Sequence, residues 1–126
     1  MPKDPTEWFN QAEYDINTAE YMFNGGRYFY AIFMGHLSLE KALKGLYQKK
    51  LSTMPPKTHN LLYLLAKTDI KPPEELGKFI VKLNEASVAT RYPEELRNLE
   101  RDFTAVIVKD MLAKTKEALA WIKTQY

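Results

Sequence analysis

Residues 4–51 read DPTEWFNQAEYDINTAEYMFNGGRYFYAIFMGHLSLEKALKGLYQKKL, and this stretch decides the fold class. Asp4 suits a helix N-cap, Pro5 suits the first helical position, and Glu7 stands where a capping box places its acid. Trp8, Ala12, Ile16, Ala19 and Phe23 then recur every three or four residues, which predicts one apolar stripe along a helix. Asn24-Gly25-Gly26 stops that helix, because glycine accepts the left-handed conformation at a helix C-terminus. A second, longer helix is expected from about Tyr28 to Leu51, with Phe29, Ile32, Phe33, Leu39, Leu43 and Leu46 inward. Two long helices joined by a short glycine turn lie antiparallel.

The same period continues outward. Met54-Pro55-Pro56-Lys57 breaks the second helix, and Thr58 is placed to cap a short third one through Leu61, Leu62, Leu64 and Leu65. After Lys71-Pro72-Pro73, a fourth helix carries Leu76, Phe79, Ile80, Leu83 and Ala86 on one side. The pattern lapses around Arg91-Tyr92-Pro93, and Glu94 to Asp102 reads as a charged connection or a loose helical turn. A last helix spans roughly Thr104 to Gln125, with Val108, Met111, Leu112, Leu119 and Ile122 inward. No segment alternates with period two. The expectation is an all-α, up-and-down antiparallel bundle of about five helices, a four-helix core plus a short helix, forming a single domain over residues 1–126.

Composition bounds the function. Eighteen Lys and Arg against 16 Asp and Glu leave a net charge of +2, too small for a nucleic-acid coat but compatible with a local basic patch. The chain has no cysteine, which excludes a disulfide scaffold, Cys-based zinc sites and thiol catalysis. Neither a secretory signal at the N-terminus nor an apolar run of membrane-spanning length is present, so a cytoplasmic protein is expected. Two histidines without a His-x-x-x-His or Glu-x-x-His spacing specify no metal site. No glycine-rich phosphate cradle and no nucleophile elbow occur, and no cofactor is implied.

Three groups of residues are left as candidates. His36, Glu40 and Lys44 recur at four-residue intervals, so they share one ridge of the second helix beside Leu39 and Leu43. They can form an acid–base pair or ligand clamp, or an ordinary Glu40–Lys44 ion pair with His36 packed. His59 can offer a ring nitrogen to a ligand or tie its loop to a neighbouring helix. Pro93 holds Tyr92 extended and ends the fourth helix. Arg91 and Tyr92 together suit phosphate contact and base stacking, or a buried Arg91–Glu40 pair with Tyr92 as packing. Tyr14, Tyr21 and Tyr28 suggest aromatic surface available for an interface, against partial burial within the monomer.

Glu13-Tyr14-Asp15-Ile16 through Gly25-Gly26-Arg27-Tyr28, His36-Leu37-Ser38-Leu39-Glu40-Lys41-Ala42-Leu43-Lys44, Thr58-His59-Asn60-Leu61, Arg91-Tyr92-Pro93 and Ala118-Leu119-Ala120-Trp121-Ile122 occur in this order. Together they resemble the HEPN family, the nucleotide-binding domain of higher eukaryotes and prokaryotes, over nearly the whole chain. The resemblance implies a helical bundle, a homodimer or higher homo-oligomer in prokaryotic cytoplasm, and in many members a minimal nucleotidyltransferase partner in a toxin–antitoxin pair. Other members are metal-independent ribonucleases with an Arg, four to six residues, then a His near the start of the last helix. The corresponding region here, Arg97-Asn98-Leu99-Glu100-Arg101-Asp102-Phe103-Thr104-Ala105-Val106, contains no histidine. The resemblance therefore points to a non-catalytic nucleotide-binding or partner-binding module, with no catalytic or metal residues. His36, Glu40, Lys44, His59, Arg91 and Tyr92 are its candidate ligand-binding residues. A ribonuclease with a non-standard site and a purely structural oligomerisation module are the alternatives.

Overall fold

A computed structural model describes residues 4–89 and 96–126. Among them are six helices and no strand: α1 (Pro5–Asn24), α2 (Tyr28–Leu51), α3 (Leu61–Thr68), α4 (Glu74–Ala89), α5 (Leu96–Asp102) and α6 (Ala105–Thr124). The Asp4 side chain accepts from the Thr6 N–H at 2.7 Å and Pro5 opens α1, as the sequence predicts. The acid of the expected capping box does not turn back to the cap; Glu7 instead accepts from the Gln11 amide at 3.3 Å. At the far end Gly26 takes φ +80, and the Arg27 N–H reaches the Met22 carbonyl at 2.8 Å, closing α1 and reversing the chain.

The central element is α2, which touches α1, α3, α4, α5 and α6. This explains why its burial runs past one stripe: Ala31, Ile32, Leu39, Ala42, Leu43 and Leu46 are joined in the interior by Ser38, Glu40 and Lys44. Phe29 and Phe33, expected inward, are half-buried. Polar contacts pin α1 to α2: the Ser38 hydroxyl donates to the Ala12 carbonyl at 2.6 Å, and Lys41 meets Asp15 at 2.9 Å. Further along, Gly45 lets three segments meet. A Cβ there would overlap the Tyr126 phenol oxygen and lie 2.7 Å from the Trp8 Cβ. The Trp8 indole donates to Gln48 at 3.0 Å and the Tyr126 phenol to the Ala42 carbonyl at 2.6 Å, closing that end of the bundle.

The cap of α3 is Asn60 rather than Thr58: the Asn60 side chain accepts from the Leu62 and Tyr63 N–H groups at 3.0 and 3.3 Å. Thr58 acts one step earlier, its hydroxyl accepting from the Asn60 N–H at 3.1 Å. In α4, Phe79, Ile80 and Leu83 reach the core, and in α6 Val108, Met111, Leu112, Leu119 and Ile122 do so. Part of the stretch read as a charged connection or a loose helical turn forms α5, which is anchored through the buried Leu99. No helix among the described residues is long and apolar enough to cross a membrane.

Candidate functional site

Shared spacing on α2 does place His36, Glu40 and Lys44 on one ridge, but packing gives them different surroundings. Lys44 meets Glu40 Oε2 at 3.0 Å, and both side chains are buried. Glu40 Oε1 accepts from His59 Nδ1 at 2.8 Å, so the carboxylate holds one partner on its own helix and one on the loop before α3. The His59 side chain is 65% exposed. Because a carboxylate only accepts, Nδ1 carries the proton, and in the neutral ring Nε2 is left as an outward acceptor.

His36 is buried, and its Nε2 lies 3.0 Å from Asn84 Oδ1. The same oxygen takes the Leu61 N–H at 3.1 Å, so it is the acceptor in both contacts and His36 Nε2 donates. Asn84 Nδ2 faces Asn60 Oδ1 at 3.4 Å. One amide of α4 thereby ties α2 to the start of α3. The first-turn donors of α3 are divided between Asn84 and Asn60, which leaves them unavailable as an anion cradle.

These residues border a cleft of about 290 Å³ between α2, α4 and the entry to α3, lined by His36, Thr58, His59, Asn60, Asn84, Ser87 and Val88. Two predicted residues, His36 and His59, line it from different elements. Glu40 and Lys44 lie behind the lining, and Glu40, itself paired with Lys44, holds His59. Arg91 and Tyr92 follow Val88 closely in the sequence but lie outside the described residues. Sequence reading missed Asn84 and Asn60 as site residues. Their signals were chemical: Asn60 is a good helix N-cap former, and Asn84 is a poor helix former inside a helical pattern, where its amide can compete for hydrogen bonds. Among the described residues no cluster of His, Cys, Asp or Glu could hold a metal ion. What the cleft presents at its surface is the His59 imidazole, the side-chain amides of Asn60 and Asn84 and the Thr58 hydroxyl, beside the apolar Val88, with His36 and Ser87 buried beneath.

Comparison with known proteins agrees with the fold. The sequence model of the HEPN domain matches residues 6–125. The chain is similar to the crystal structure of TT1696 from Thermus thermophilus, with 25% identity, a TM-score of 0.80, and coverage of 97% of this chain and 98% of that one. It is also similar in fold to ST0689, an archaeal HEPN homologue, with 24% identity, a TM-score of 0.73 and 98% of both chains covered. None of the curated proteins matches the chain.

Proposed function

The chain belongs to the HEPN domain family, and from that premise we propose that it is a non-catalytic nucleotide-binding module working as a homodimer beside a separate protein partner. The observation that supports this reading is that one polar cleft is lined by His36 and His59 from different elements, with the His59 ring exposed and held by the buried Glu40. A volume of about 290 Å³ stands at the lower end of small-molecule sites, roughly 300–1,000 Å³, which suits a single nucleotide better than an oligonucleotide. The outward Nε2 of His59 accepts from a base or ribose, and Asn60 and Asn84 border the same space. Arg91 meets the phosphate as a bidentate donor, and Tyr92 stacks on the base. Glu40 and Lys44 act through His59, holding its ring by the buried carboxylate. The partner, in this reading, is a minimal nucleotidyltransferase of a toxin–antitoxin pair, inferred from family membership and tested by co-purification.

A second reading has its own support: Glu40, Lys44, Asn84 and the start of α3 satisfy one another internally, as a device that only fixes helix register does. A thermal-shift screen with AMP, ATP, GTP and a short RNA separates the two. A ligand at about 100 times its Kd adds about 2.7 kcal/mol, a shift of several degrees for a domain of this size. The expected result is a shift with a mononucleotide that Arg91→Ala abolishes and His59→Ala reduces. No shift at millimolar ligand overturns nucleotide binding and leaves the ridge structural. Cleavage of the RNA without metal, lost on His→Ala substitution, identifies a ribonuclease with a non-standard site.

A further inference from the structure

The side-chain oxygens of both amides that line the cleft are already in use. Asn84 Oδ1 accepts from the Leu61 N–H at 3.1 Å and from His36 Nε2 at 3.0 Å. Asn60 Oδ1 accepts from the Leu62 and Tyr63 N–H groups at 3.0 and 3.3 Å, and from Asn84 Nδ2 at 3.4 Å. A backbone N–H can only donate, so these contacts fix which end of each amide is oxygen and leave the NH2 ends for the cleft. One amide hydrogen goes to Asn60 Oδ1, and the rest have no acceptor among the described residues. The Thr58 hydroxyl accepts from the Asn60 N–H at 3.1 Å and keeps its own proton to donate. His59 is the reverse case: its Nδ1 donates to Glu40 at 2.8 Å, which leaves Nε2 of the neutral ring as an acceptor. The cleft thus shows several donors and one imidazole acceptor. No Lys or Arg is among its described lining residues, and Glu40 behind it is matched by Lys44.

On the nucleotide-binding reading of this cleft, on which the inference rests, we propose that the base it holds is uracil. A donor-rich cleft takes an acceptor-rich ligand. A lining without a cation favours a neutral group over a bare phosphate, which Arg and Lys ordinarily hold. Of the four RNA bases, uracil alone pairs through two carbonyls with a single N–H between them. Its N3–H donates to His59 Nε2, and its O2 and O4 accept from the amides of Asn60 and Asn84 or from the Thr58 hydroxyl. Cytosine and adenine bring an amine against those donors and a bare ring nitrogen against the imidazole acceptor. Guanine brings an N–H and an amine together, two donors for one acceptor. A single ring also suits a cleft of about 290 Å³, with Val88, 54% exposed, as apolar surface beside it. The oxygens that an amine would need are spent on the α3 backbone and on His36, so the bonds that cap α3 also set the polarity of the site.

Calorimetric titration of the full chain with UMP, CMP, AMP and GMP tests this. UMP is expected to bind at least about tenfold tighter than the other three, as well-placed base contacts allow. Asn60→Asp keeps the oxygen that caps α3 and replaces the amide donors with an acceptor. Its charge repels every monophosphate alike, so the ratio of UMP to CMP affinity isolates the base. That ratio is expected to fall about fivefold or more, because the carboxylate accepts from the cytosine amine, with helical circular dichroism unchanged. Asn84→Asp, which keeps the oxygen shared by His36 and Leu61, is expected to move the ratio the same way. A ratio unchanged in both variants, equal binding of the four nucleotides, or a purine bound tightest overturns the uracil reading and leaves nucleotide binding standing. No binding of any of the four at millimolar concentration overturns both.

Discussion

At the scale of single residues, Glu40 contributes most through burial. Its oxygens bind Lys44 in the interior and His59 at the surface, and the two contacts differ in worth because water screens only the second. Removing one partner of a buried ion pair costs about 3–5 kcal/mol, whereas an exposed pair contributes roughly 0–1 kcal/mol. Glu40→Ala is therefore expected to lower the unfolding free energy, read from urea denaturation, by about 3 kcal/mol, and His59→Ala by less than about 1 kcal/mol. Equal losses would show that the His59 contact carries the stability. The sequence made the four-residue spacing of His36, Glu40 and Lys44 plain. It held no record of which of them met solvent, since that depends on neighbours supplied by α3 and α4.

Between elements, the decisive group is the Asn84 side chain, which serves His36 on α2 and Leu61 at the start of α3 through one oxygen. Asn84→Ala leaves the Leu61 N–H and His36 Nε2 without that acceptor, at about 1–3 kcal/mol for a buried unsatisfied donor. Asn84→Asp keeps the oxygen and is expected to recover most of the loss. Faster amide exchange at Leu61 in the alanine variant alone would locate the effect; equal exchange in both variants would refute it. The helices themselves were legible because apolar period and caps are local. Asp4, Pro5 and the glycine turn gave α1 and its end, and Tyr28 and Leu51 bound α2 as expected. The α3 cap was misplaced by two residues because Thr58 and Asn60 are both good cap formers, and selection between them depended on the Leu61 N–H reaching the Asn84 side chain on α4. As for α5, its single buried leucine, Leu99, gave no period to read.

Across the whole molecule, the end of the bundle is closed by Trp8, Gly45 and Tyr126, brought together from distant parts of the chain. Burial disfavours the charged phenolate and pushes the Tyr126 pKa well above the ordinary tyrosine value near 10. The folded form therefore keeps its proton where the unfolded form loses it. The contribution is intact below about pH 10 and falls as pH rises above that value toward the folded-state pKa. Comparing urea midpoints at pH 8 and pH 11 tests this: Tyr126→Phe should lose less stability over that interval than the wild type. An identical loss would remove Tyr126 from the alkaline transition.

By itself the sequence determined an all-helical chain, the bounds of its two longest helices and the chemistry available on the α2 ridge. Those follow from 3.6-residue periodicity, capping and glycine or proline breaks, all of which act over a few residues. Only the tertiary structure decided that α2 lies at the centre, that Glu40 and Lys44 stand behind the cleft rather than in it, and that Asn84 and Asn60 border it. Such assignments depend on residues 19 to 48 positions apart in the chain, where the burial of one helix face fixes which distant side chain completes a hydrogen bond.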